Sequence, residues 1–521
     1  MFLSFFGTVG NILVFLIVLS VVICLHELGH LYFAKKAGIL CHEFSFGMGP
    51  KIWGKKVGET TYAIRAIPFG GFVSMSGEEV ESEVIKVGQK IRIGLSLDGE
   101  VDKIIVNYQN PKFLDLEEIV VESINLQGKD NTPLYINGYT VKRDAFYVFD
   151  KNQMQIAPYE RNFTNKTKMQ RFLTAFGGPL MNFVLAIVLY LFLALMLGVP
   201  NPSSTVVGSV SVGMPAYEVL LPGDEITKIN GIDVSAWTSS DNIATVNTEL
   251  AKYQTNSTFV FTVIRDGEEI NLPAIQPQYI FYGLGFVADV SSNDLVILSP
   301  LYQDSELLQG DIIQSINGHT FASWNDLITY ALAYTEGSTD DDPTVIVVLR
   351  GTETLTFSYV SYSSDVLDAM GYDVFYSRIG ISGSNHFSLI GGVENAFINF
   401  GNAATSIYKT LGLLFTSSQV GLSDMGGFLG IYTLTSNAAS QGFYSLISFV
   451  AFLSVNLGIV NLLPIPALDG GRIVFIGYEA ITKRKPNKKV ENWLHTIVFF
   501  LLIALMVYVT YNDILRFIGA H

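Results

Sequence analysis

His26-Glu27-Leu28-Gly29-His30 ends an uncharged apolar stretch, Met1–Leu25, and this combination indicates the architecture of the chain. A run of roughly 20 apolar residues is long enough to cross a bilayer as a helix. Three later stretches of that length also lack Asp, Glu, Lys and Arg: Phe172–Val199, Phe443–Leu468 and Trp493–Asn512. The sequence therefore predicts a multi-pass α-helical membrane protein with four transmembrane helices.

The composition agrees with a chain that is partly in lipid. Of the 521 residues, 49% are hydrophobic and 15% are charged, and the mean hydropathy is +0.37. The lipid bilayer is therefore an expected partner. A net charge of -15 argues against nucleic acid as another partner, because nucleic-acid binding needs basic surfaces. Cys24 and Cys41 have no metal-like spacing, and we expect both to be buried thiols.

The distribution of basic residues predicts the orientation. Nineteen Lys and Arg lie between the first and second spans and six between the third and fourth, whereas 199–440 holds six against 25 acidic residues. Basic loops stay on the cytoplasmic side. We therefore expect 36–171 and 471–492 to be cytoplasmic, and 200–441 and both termini to be extracytoplasmic.

The predicted extracytoplasmic segment contains an internal repeat. Pro222–Gly231 recurs 87 residues later as Gln309–Gly318, and each combines Gly-Asp, alternating apolar residues and Asn-Gly. These features predict a turn, a strand and a hairpin. The pattern resembles PDZ domains, and Gly283–Phe286 resembles their carboxylate-binding loop. We predict two β-rich extracytoplasmic PDZ-like domains. Whether they bind a peptide as an added strand, bind none as spacers, or exclude substrates by size stays open.

Together these patterns divide the chain into nine segments. They are a first span with His26–His30 (1–35), a cytoplasmic β-rich loop with a membrane-proximal β-hairpin (36–171), a second span (172–199), the two PDZ-like domains (200–290 and 291–385), extracytoplasmic membrane-associated helices (386–441), a third span (442–470), a cytoplasmic loop (471–492) and a fourth span (493–514).

His26, Glu27 and His30 carry the chemistry. Residues four apart in a helix share a face, so both imidazoles can reach one zinc ion, and Glu27 beside them can act as general base toward water. An ionisable group inside a bilayer costs at least about 2.5 kcal/mol, so such groups usually mark function. Lys35, expected near the cytoplasmic interface, lies only roughly 13 Å of helix beyond His26. We therefore predict a zinc site within the membrane, near the cytoplasm.

Asp469 is the predicted third zinc ligand. It is the first charged residue after the third span, and it reaches the same side of the membrane as His30. Pro464 and Pro466 break the helix just before it, as irregular backbone lining a polar cavity would require. Taken alone, Asp469 is an ordinary helix-end carboxylate. We expect His495 and the other histidines to be surface or packing residues.

These motifs together resemble the site-2 protease family of intramembrane zinc metalloproteases, peptidase family M50. The resemblance covers nearly the whole chain, and the insertion 80–160 looks most like the RasP branch of that family. It implies that His26, His30 and Asp469 bind zinc and that Glu27 is the general base. It further implies that Asn461 and Pro464 shape the substrate cleft, with Asn182 close by, and that a hairpin pairs with the extended substrate through Phe69, Gly70, Gly71, Phe72 and Val73.

The resemblance also implies a function and a location. The expected reaction is the second, site-2 cleavage of single-span membrane proteins, such as anti-sigma factors or signal-peptide remnants, after another protease has trimmed them. The expected location is a bacterial plasma membrane. Two other functions stay open: a non-catalytic PDZ adaptor with a structural zinc, and a metal transporter, which would need further polar residues in its spans.

Overall fold

The computed structural model describes residues 2–78, 84–129, 132–150, 152–241, 243–252, 258–290, 294–301, 305–337, 343–416, 421 and 426–517, with the backbone alone for residues 2–8, 69, 334–337, 370, 516 and 517. Its helices are α1 (Phe2–Lys36), α2 (Lys168–Leu197), α3 (Val246–Leu250), α4 (Trp324–Gly337), α5 (Ser364–Met370), α6 (Leu389–Thr416), α7 (Phe428–Ser440), α8 (Phe443–Leu462), α9 (Asp469–Thr482) and α10 (Lys488–Phe517).

Four of these helices, α1, α2, α8 and α10, are long and apolar enough to cross a membrane within the described part of the chain. The prediction of four such helices alongside β-rich regions is therefore confirmed. The third span was predicted to reach residue 470, but α8 ends at Leu462. The reason is that Pro464 and Pro466 follow, and neither can donate a helical hydrogen bond. Asp469 instead begins α9 (Asp469–Thr482), most of which lies in the segment 471–492 that was predicted as a loop.

The chain forms two compact units, residues 1–189 with 428–507 and residues 190–427 with 508–521. In the first unit, α1 packs on α8 through Val18, Val22 and Val450. Helices α1 and α2 approach closely at glycines, because a methyl group at Gly177 would lie 2.7 Å from the carbonyl oxygen of Gly29. Small residues of this kind let transmembrane helices bring their backbones together.

A long hairpin follows α1 and is formed by β1 (Cys41–Val57) and β2 (Thr60–Met75). Residues 41–46 pair with residues 71–75 on one side and with residues 61–64 on the other. Residues 71–75 therefore form an outer run, whose second edge has no strand partner in the described chain. Val73 and Met75 on this run are buried against Leu31 of α1.

A separate sheet fills the predicted insertion 80–160. Its strands are β3 (Lys90–Leu95), β4 (Val101–Ile105), β5 (Glu117–Val120), β6 (Ile124–Asn125), β7 (Leu134–Ile136), β8 (Tyr139–Phe149) and β9 (Asn152–Gln155). Their order is β5-β3-β4-β8-β7-β6, with β9 also paired to β8. Alternating residues such as Ile91 and Ile93 are fully buried on one face, as expected of strands that cover a core.

The second unit contains the two repeats. Its strands are β10 (Val199–Pro200), β11 (Val207–Val210), β12 (Glu225–Ile229), β13 (Ile232–Asp233), β14 (Phe261–Arg265), β15 (Glu268–Asn271), β16 (Gln278–Phe281), β17 (Phe286–Asp289), β18 (Val296–Pro300), β19 (Ile312–Ile316), β20 (Thr344–Arg350), β21 (Glu353–Tyr359), β22 (Tyr376–Arg378), β23 (Ile381–Gly383) and β24 (Asn385–His386). The first repeat has the sheet β13-β12-β14-β15, and the second has β21-β20-β19-β18-β17-β16-β22.

The two repeat domains divide earlier than the sequence suggested. The predicted boundary lies between residues 290 and 291, but β16 and β17 belong to the sheet of the second repeat. The core of the first repeat ends at Ile275, and the chain then returns to it through Ile379 and β23. Repeat spacing alone could not place this boundary, because the returning strand is not part of the repeated motif.

The backbone of the loop Gly283–Phe286 is engaged within its own domain. The N–H of Gly283 donates to Val374 O at 3.0 Å, and the N–H of Gly285 donates to Phe281 O at 2.7 Å. Strand β17 after the loop pairs with β16 on one side and β18 on the other. A carboxylate-binding loop needs free N–H donors, and these two are already used.

Each repeat contains the same buried ion pair. The guanidinium of Arg265 donates to Asp224 at 2.7 Å, and that of Arg350 donates to Asp311 at 2.7 and 2.8 Å. Burial raises the pKa of each carboxyl, but the arginine and a backbone N–H (Leu221 or Leu308) outweigh it and hold the pKa below its usual value. The repeated Gly-Asp signature thus marks a structural pair.

This pair predicts a pH dependence with a defined sign. A carboxyl with a depressed folded pKa stabilises the domain above its unfolded pKa of about 3.9, and that stability is lost as pH falls through the folded value. We expect Asp311→Asn to lower amide-exchange protection of β19 and β20 at pH 7 by roughly tenfold or more. Strands β12 and β14 of the first repeat serve as the internal control. Equal protection of β19 in variant and wild type would contradict this expectation.

Candidate metal centre

Three side chains from distant parts of the first unit converge at one point. Nε2 of His26 and Nε2 of His30 lie 3.2 Å apart. Oδ2 of Asp469 lies 3.1 Å from His26 Nε2 and 3.3 Å from His30 Nε2. Both histidines are buried and Asp469 is half-buried. The helical spacing of α1 places the imidazoles together, and the first residue of α9 brings the carboxylate to them.

The two nitrogens and the carboxylate oxygen have the spacing that zinc requires of its ligands. A tetrahedral zinc with bonds of about 2.0 Å holds its ligand atoms about 3.3 Å apart, which matches all three separations. Two imidazoles and one carboxylate are a ligand set found in catalytic zinc sites, which keep a fourth position open. Asp469 Oδ2 is buried and has no hydrogen-bond partner among the described residues. A cation at the centre would satisfy it.

Helix α2 supports the imidazoles from behind. Nδ1 of His30 donates to the carbonyl oxygen of Thr174 at 2.7 Å. Nδ1 of His26 lies 3.2 Å from the side-chain amide of Asn182, which is completely buried. Partners of this kind orient the ring of a metal-binding histidine and fix its tautomer.

Gly178 of α2 faces the ligand nitrogens directly. A methyl group at this position would lie 2.6 Å from His26 Nε2 and closer still to His30 Nε2. Any side chain here would therefore occupy the space in which the nitrogens meet. The absence of a side chain at Gly178 keeps that space available.

The backbone before Asp469 is folded tightly. Ala467 has the left-handed conformation (φ 80°), and its N–H donates to Nδ1 of His495 on α10 at 2.8 Å. A methyl group at Gly470 or Gly471 would collide with the carbonyl oxygens of the preceding loop. His495 was expected to be a surface or packing residue, and the structure shows that it accepts a hydrogen bond from the segment that presents Asp469.

Two ion pairs anchor α9 itself. Arg472, one turn after Asp469, pairs with Glu78, which follows the hairpin. Near the other end, Glu479 pairs with Arg171 of α2 at 2.6 Å, and both side chains are nearly buried. Breaking such a buried pair is costly, because the remaining charge stays without a partner. Helix α9, and with it Asp469, is therefore fixed to α2 and to the end of the hairpin.

Glu27 lies between the three-residue cluster and the hairpin. The N–H of Val73 donates to Glu27 Oε2 at 3.1 Å. Gly71 also lies close to Glu27, because a methyl group at Gly71 would lie 3.6 Å from Glu27 Cγ. The carboxylate therefore contacts the outer run 71–75 on the edge that has no strand partner in the described chain.

The other residues singled out in the sequence have varied surroundings. Asn461 donates to Leu457 O of its own helix at 2.9 Å, and Pro464 is exposed. Gly70 has the left-handed conformation (φ 75°) at the turn before residues 71–75. Phe72 packs under the guanidinium of Arg65, 5.1 Å from the ring centre. The side chain of Phe69 lies outside the described part of the structure.

Sequence reasoning missed several residues around the cluster. His495, Thr174 and Gly178 contact it or its supports, yet none was assigned a role. A histidine within an apolar span is a signal that could have identified His495. Thr174 acts through its backbone carbonyl, which no sequence pattern reveals. Gly178 lies in the sequence Gly177-Gly178-Pro179 of the second span, but its significance depends on which face of α2 meets α1.

Comparison with known proteins agrees with this geometry. The family model described as Peptidase family M50 matches residues 14–505. The chain is 34% identical to the "Zinc metalloprotease RasP" of Shouchella clausii (strain KSM-K16) over 511 residues, which are 97% of this chain and 99% of the relative. It is 31% identical to the protein of that name from Geobacillus kaustophilus (strain HTA426), over 98% of this chain and 99% of the relative.

A third relative carries a more specific name. The chain is 31% identical to the "Regulator of sigma-W protease RasP" of Bacillus subtilis (strain 168), over 98% of this chain and 99% of the relative. These matches extend over almost the entire length of the chain, and they confirm the resemblance to intramembrane zinc metalloproteases. The chain belongs to peptidase family M50.

Proposed function

We propose that this protein is a zinc metalloprotease that cuts single-span membrane proteins within the membrane, with His26, His30 and Asp469 as the zinc ligands and Glu27 as the general base. One observation carries the proposal. Two imidazoles and a carboxylate meet at the spacing of a tetrahedral zinc site, and a second carboxylate lies beside them on the edge of a strand. Both halves of a metallopeptidase site are thereby in one place.

Each residue has a defined task in this mechanism. Zinc, when bound, supplies Lewis-acid polarisation of a peptide carbonyl and lowers the pKa of a water molecule. Glu27 takes the proton from the attacking water and passes it to the leaving amine. The Val73 N–H holds one oxygen of Glu27, which leaves the other oxygen available for that proton.

The outer run 71–75 is the proposed docking site for the substrate. A transmembrane helix hides its carbonyl groups in its own hydrogen bonds, so it must unwind before it can be cut. Strand addition to a free sheet edge would hold the unwound segment in an extended form. The free edge of this run faces Glu27, which places a docked backbone next to the proposed base. Asn461 and Pro464, in the segment that leads to Asp469, are proposed to border the same cleft.

The hairpin contacts α1 at a depth consistent with cleavage inside the membrane. Ser20 Oγ donates to Pro68 O at 2.9 Å, and Ser20 precedes His26 by six residues. Six helical residues span about 9 Å, so the part of β2 around Pro68 passes the cluster toward the middle of α1. With residues 36–171 on the cytoplasmic side, this hairpin enters the membrane from the cytoplasm.

The orientation and the domains on the other side belong to the same proposal. Residues 200–290 and 291–385 were predicted as PDZ-like domains, and we propose that the two repeats, divided near residue 276, lie outside the cell. Because the loop Gly283–Phe286 is engaged internally, we favour a role in excluding bulky substrates over peptide capture. Substrates would then need trimming by another protease first. Anti-sigma factors are suitable targets, and a relative's name, regulator of sigma-W protease, supports them.

Neither alternative function fits the site as well. A structural zinc has four protein ligands, whereas the described residues supply three. A metal transporter needs a path of polar groups through the spans, whereas His26, His30, Thr174 and Asn182, which are buried in α1 and α2, all belong to one cluster. Membership of a peptidase family also favours the enzyme.

The direct test uses the full chain in liposomes with a single-span substrate whose outer domain is either intact or trimmed. We expect cleavage inside the apolar segment, located by mass spectrometry, and a roughly tenfold preference for the trimmed form, which is within the range of substrate discrimination by steric exclusion. Cleavage only outside the apolar segment would refute the intramembrane assignment. Equal rates for the two substrates would refute exclusion by the outer domains.

A further inference from the structure

The outward nitrogens of the two candidate ligand histidines have different partners. Nδ1 of His30 donates to a backbone carbonyl, Thr174 O, at 2.7 Å. Nδ1 of His26 faces the side-chain amide of Asn182, with Nδ2 as the nearer atom at 3.2 Å. Asn182 is 0% exposed, and its Oδ1 has no hydrogen-bond partner among the described residues. A buried oxygen without a donor is destabilising, so this atom needs an explanation.

The protonation state of a metal-binding histidine explains why Asn182 Oδ1 is there without a donor. An imidazole that binds a metal through Nε2 carries its proton on Nδ1, so Nδ1 is then a donor. The amide nitrogen of Asn182 is also a donor and cannot serve it. A half-turn of the amide about its Cβ–Cγ bond exchanges Nδ2 and Oδ1 without moving the rest of the side chain. After that turn, the unsatisfied oxygen of Asn182 accepts the proton of His26.

We propose that Asn182 is a positioning residue of the metal centre: its Oδ1 accepts a hydrogen bond from His26 Nδ1–H, which selects the tautomer whose Nε2 lone pair points toward Asp469. This inference rests on the proposed role of His26 as a zinc ligand. It differs from the position beside the substrate cleft that the family resemblance implies for Asn182. The amide contacts Nδ1 of the His26 ring, on the side away from Asp469. Asn182 is completely buried in the absence of substrate.

The backbone around Asn182 is held in place independently of its amide. Ser454 of α8 donates to the carbonyl oxygen of Asn182 at 2.8 Å, and Ser454 is also 0% exposed. This bond fixes α2 to α8 at the residue that carries the amide. It also supplies a matched control, because Ser454→Ala removes the helix-to-helix bond and leaves the amide intact.

The test measures metal binding by the full chain in detergent. Zinc dissociation constants come from chelator competition, and the visible absorption of the cobalt-substituted protein reports the coordination geometry. We expect Asn182→Leu, which has a similar volume and no acceptor, to weaken zinc binding 10- to 100-fold and to alter the cobalt spectrum, as loss of such partners typically does. Asn182→Asp restores an acceptor and should stay within about threefold of wild type, as should Ser454→Ala.

Each outcome decides the question. If Asn182→Leu binds zinc as tightly as wild type, with an unchanged cobalt spectrum, the positioning role is wrong. If Asn182→Asp binds as weakly as Asn182→Leu, acceptance of the His26 proton is not the function of the amide. His26→Ala separates the positioning role of Asn182 from the ligand role of His26. Loss of zinc in His26→Ala without loss in Asn182→Leu overturns this inference alone, whereas retained zinc in His26→Ala overturns the proposed ligand role as well.

Discussion

Replacing Glu27 with glutamine is expected to abolish cleavage and to leave zinc bound. The substitution keeps the size of the side chain and an oxygen that can accept the Val73 N–H, which lies 3.1 Å from the carboxylate. The three proposed ligand atoms are untouched. General acid–base catalysis contributes typically 10²- to 10⁴-fold, so the rate should fall by roughly 10³-fold. Turnover of a single-span substrate and zinc content per chain are measured on the same preparation.

A second glutamate gives the control for this experiment. Glu59 pairs with Arg161 at 2.7 Å beside the turn of the hairpin, and it does not contact the metal cluster. Glu59→Gln makes the same chemical change and should cleave at close to the wild-type rate. Turnover by Glu27→Gln within tenfold of wild type would remove Glu27 from the role of base. Loss of zinc from Glu27→Gln would instead indicate a structural role at the site.

The sequence predicted which residues come together at the cluster, but it did not predict the residues that support them. His26 and His30 could be paired because helical spacing is fixed by local geometry, and Asp469 could be added because a charged residue at the end of an apolar span is costly. Both arguments need only the sequence near each residue. The supports of the site depend instead on which faces of different helices meet, and a single sequence does not reveal that.

Particular residues show where this limit lies. His495 is far from the motif and acts by accepting one backbone hydrogen bond from Ala467. The boundary between the repeat domains moved from 290 to about 276 because β16 and β17 pair within the sheet of the second repeat, and β23 returns to the first repeat after the second is complete. Neither feature has a local signature, since each is created by segments that meet only in the folded chain. The four long apolar helices, in contrast, were predicted from length and composition alone.

Gly178→Ala is the substitution expected to damage the site most for the smallest chemical change. The added methyl group would lie 2.6 Å from His26 Nε2 and closer to His30 Nε2. Favourable contacts between such atoms need about 3.5 Å, so at least one ring must move by roughly 1 Å. The rings cannot move freely, because Thr174 and Asn182 hold their other nitrogens. Misplacement by 1 Å can cost about 100-fold in rate. We therefore expect both the zinc affinity and the cleavage rate to fall sharply.

The backbone effect of the same substitution has the opposite sign. Alanine is favoured over glycine inside a helix by about 1 kcal/mol, so α2 should become more stable while the site is lost. Gly10→Ala in α1 is the matched control, since a methyl group there meets nothing within 4 Å and should leave zinc binding and turnover unchanged. Thermal unfolding and zinc content of both variants separate the two effects. A folded Gly178→Ala protein with wild-type zinc affinity would mean that the metal is held somewhere other than between His26, His30 and Asp469.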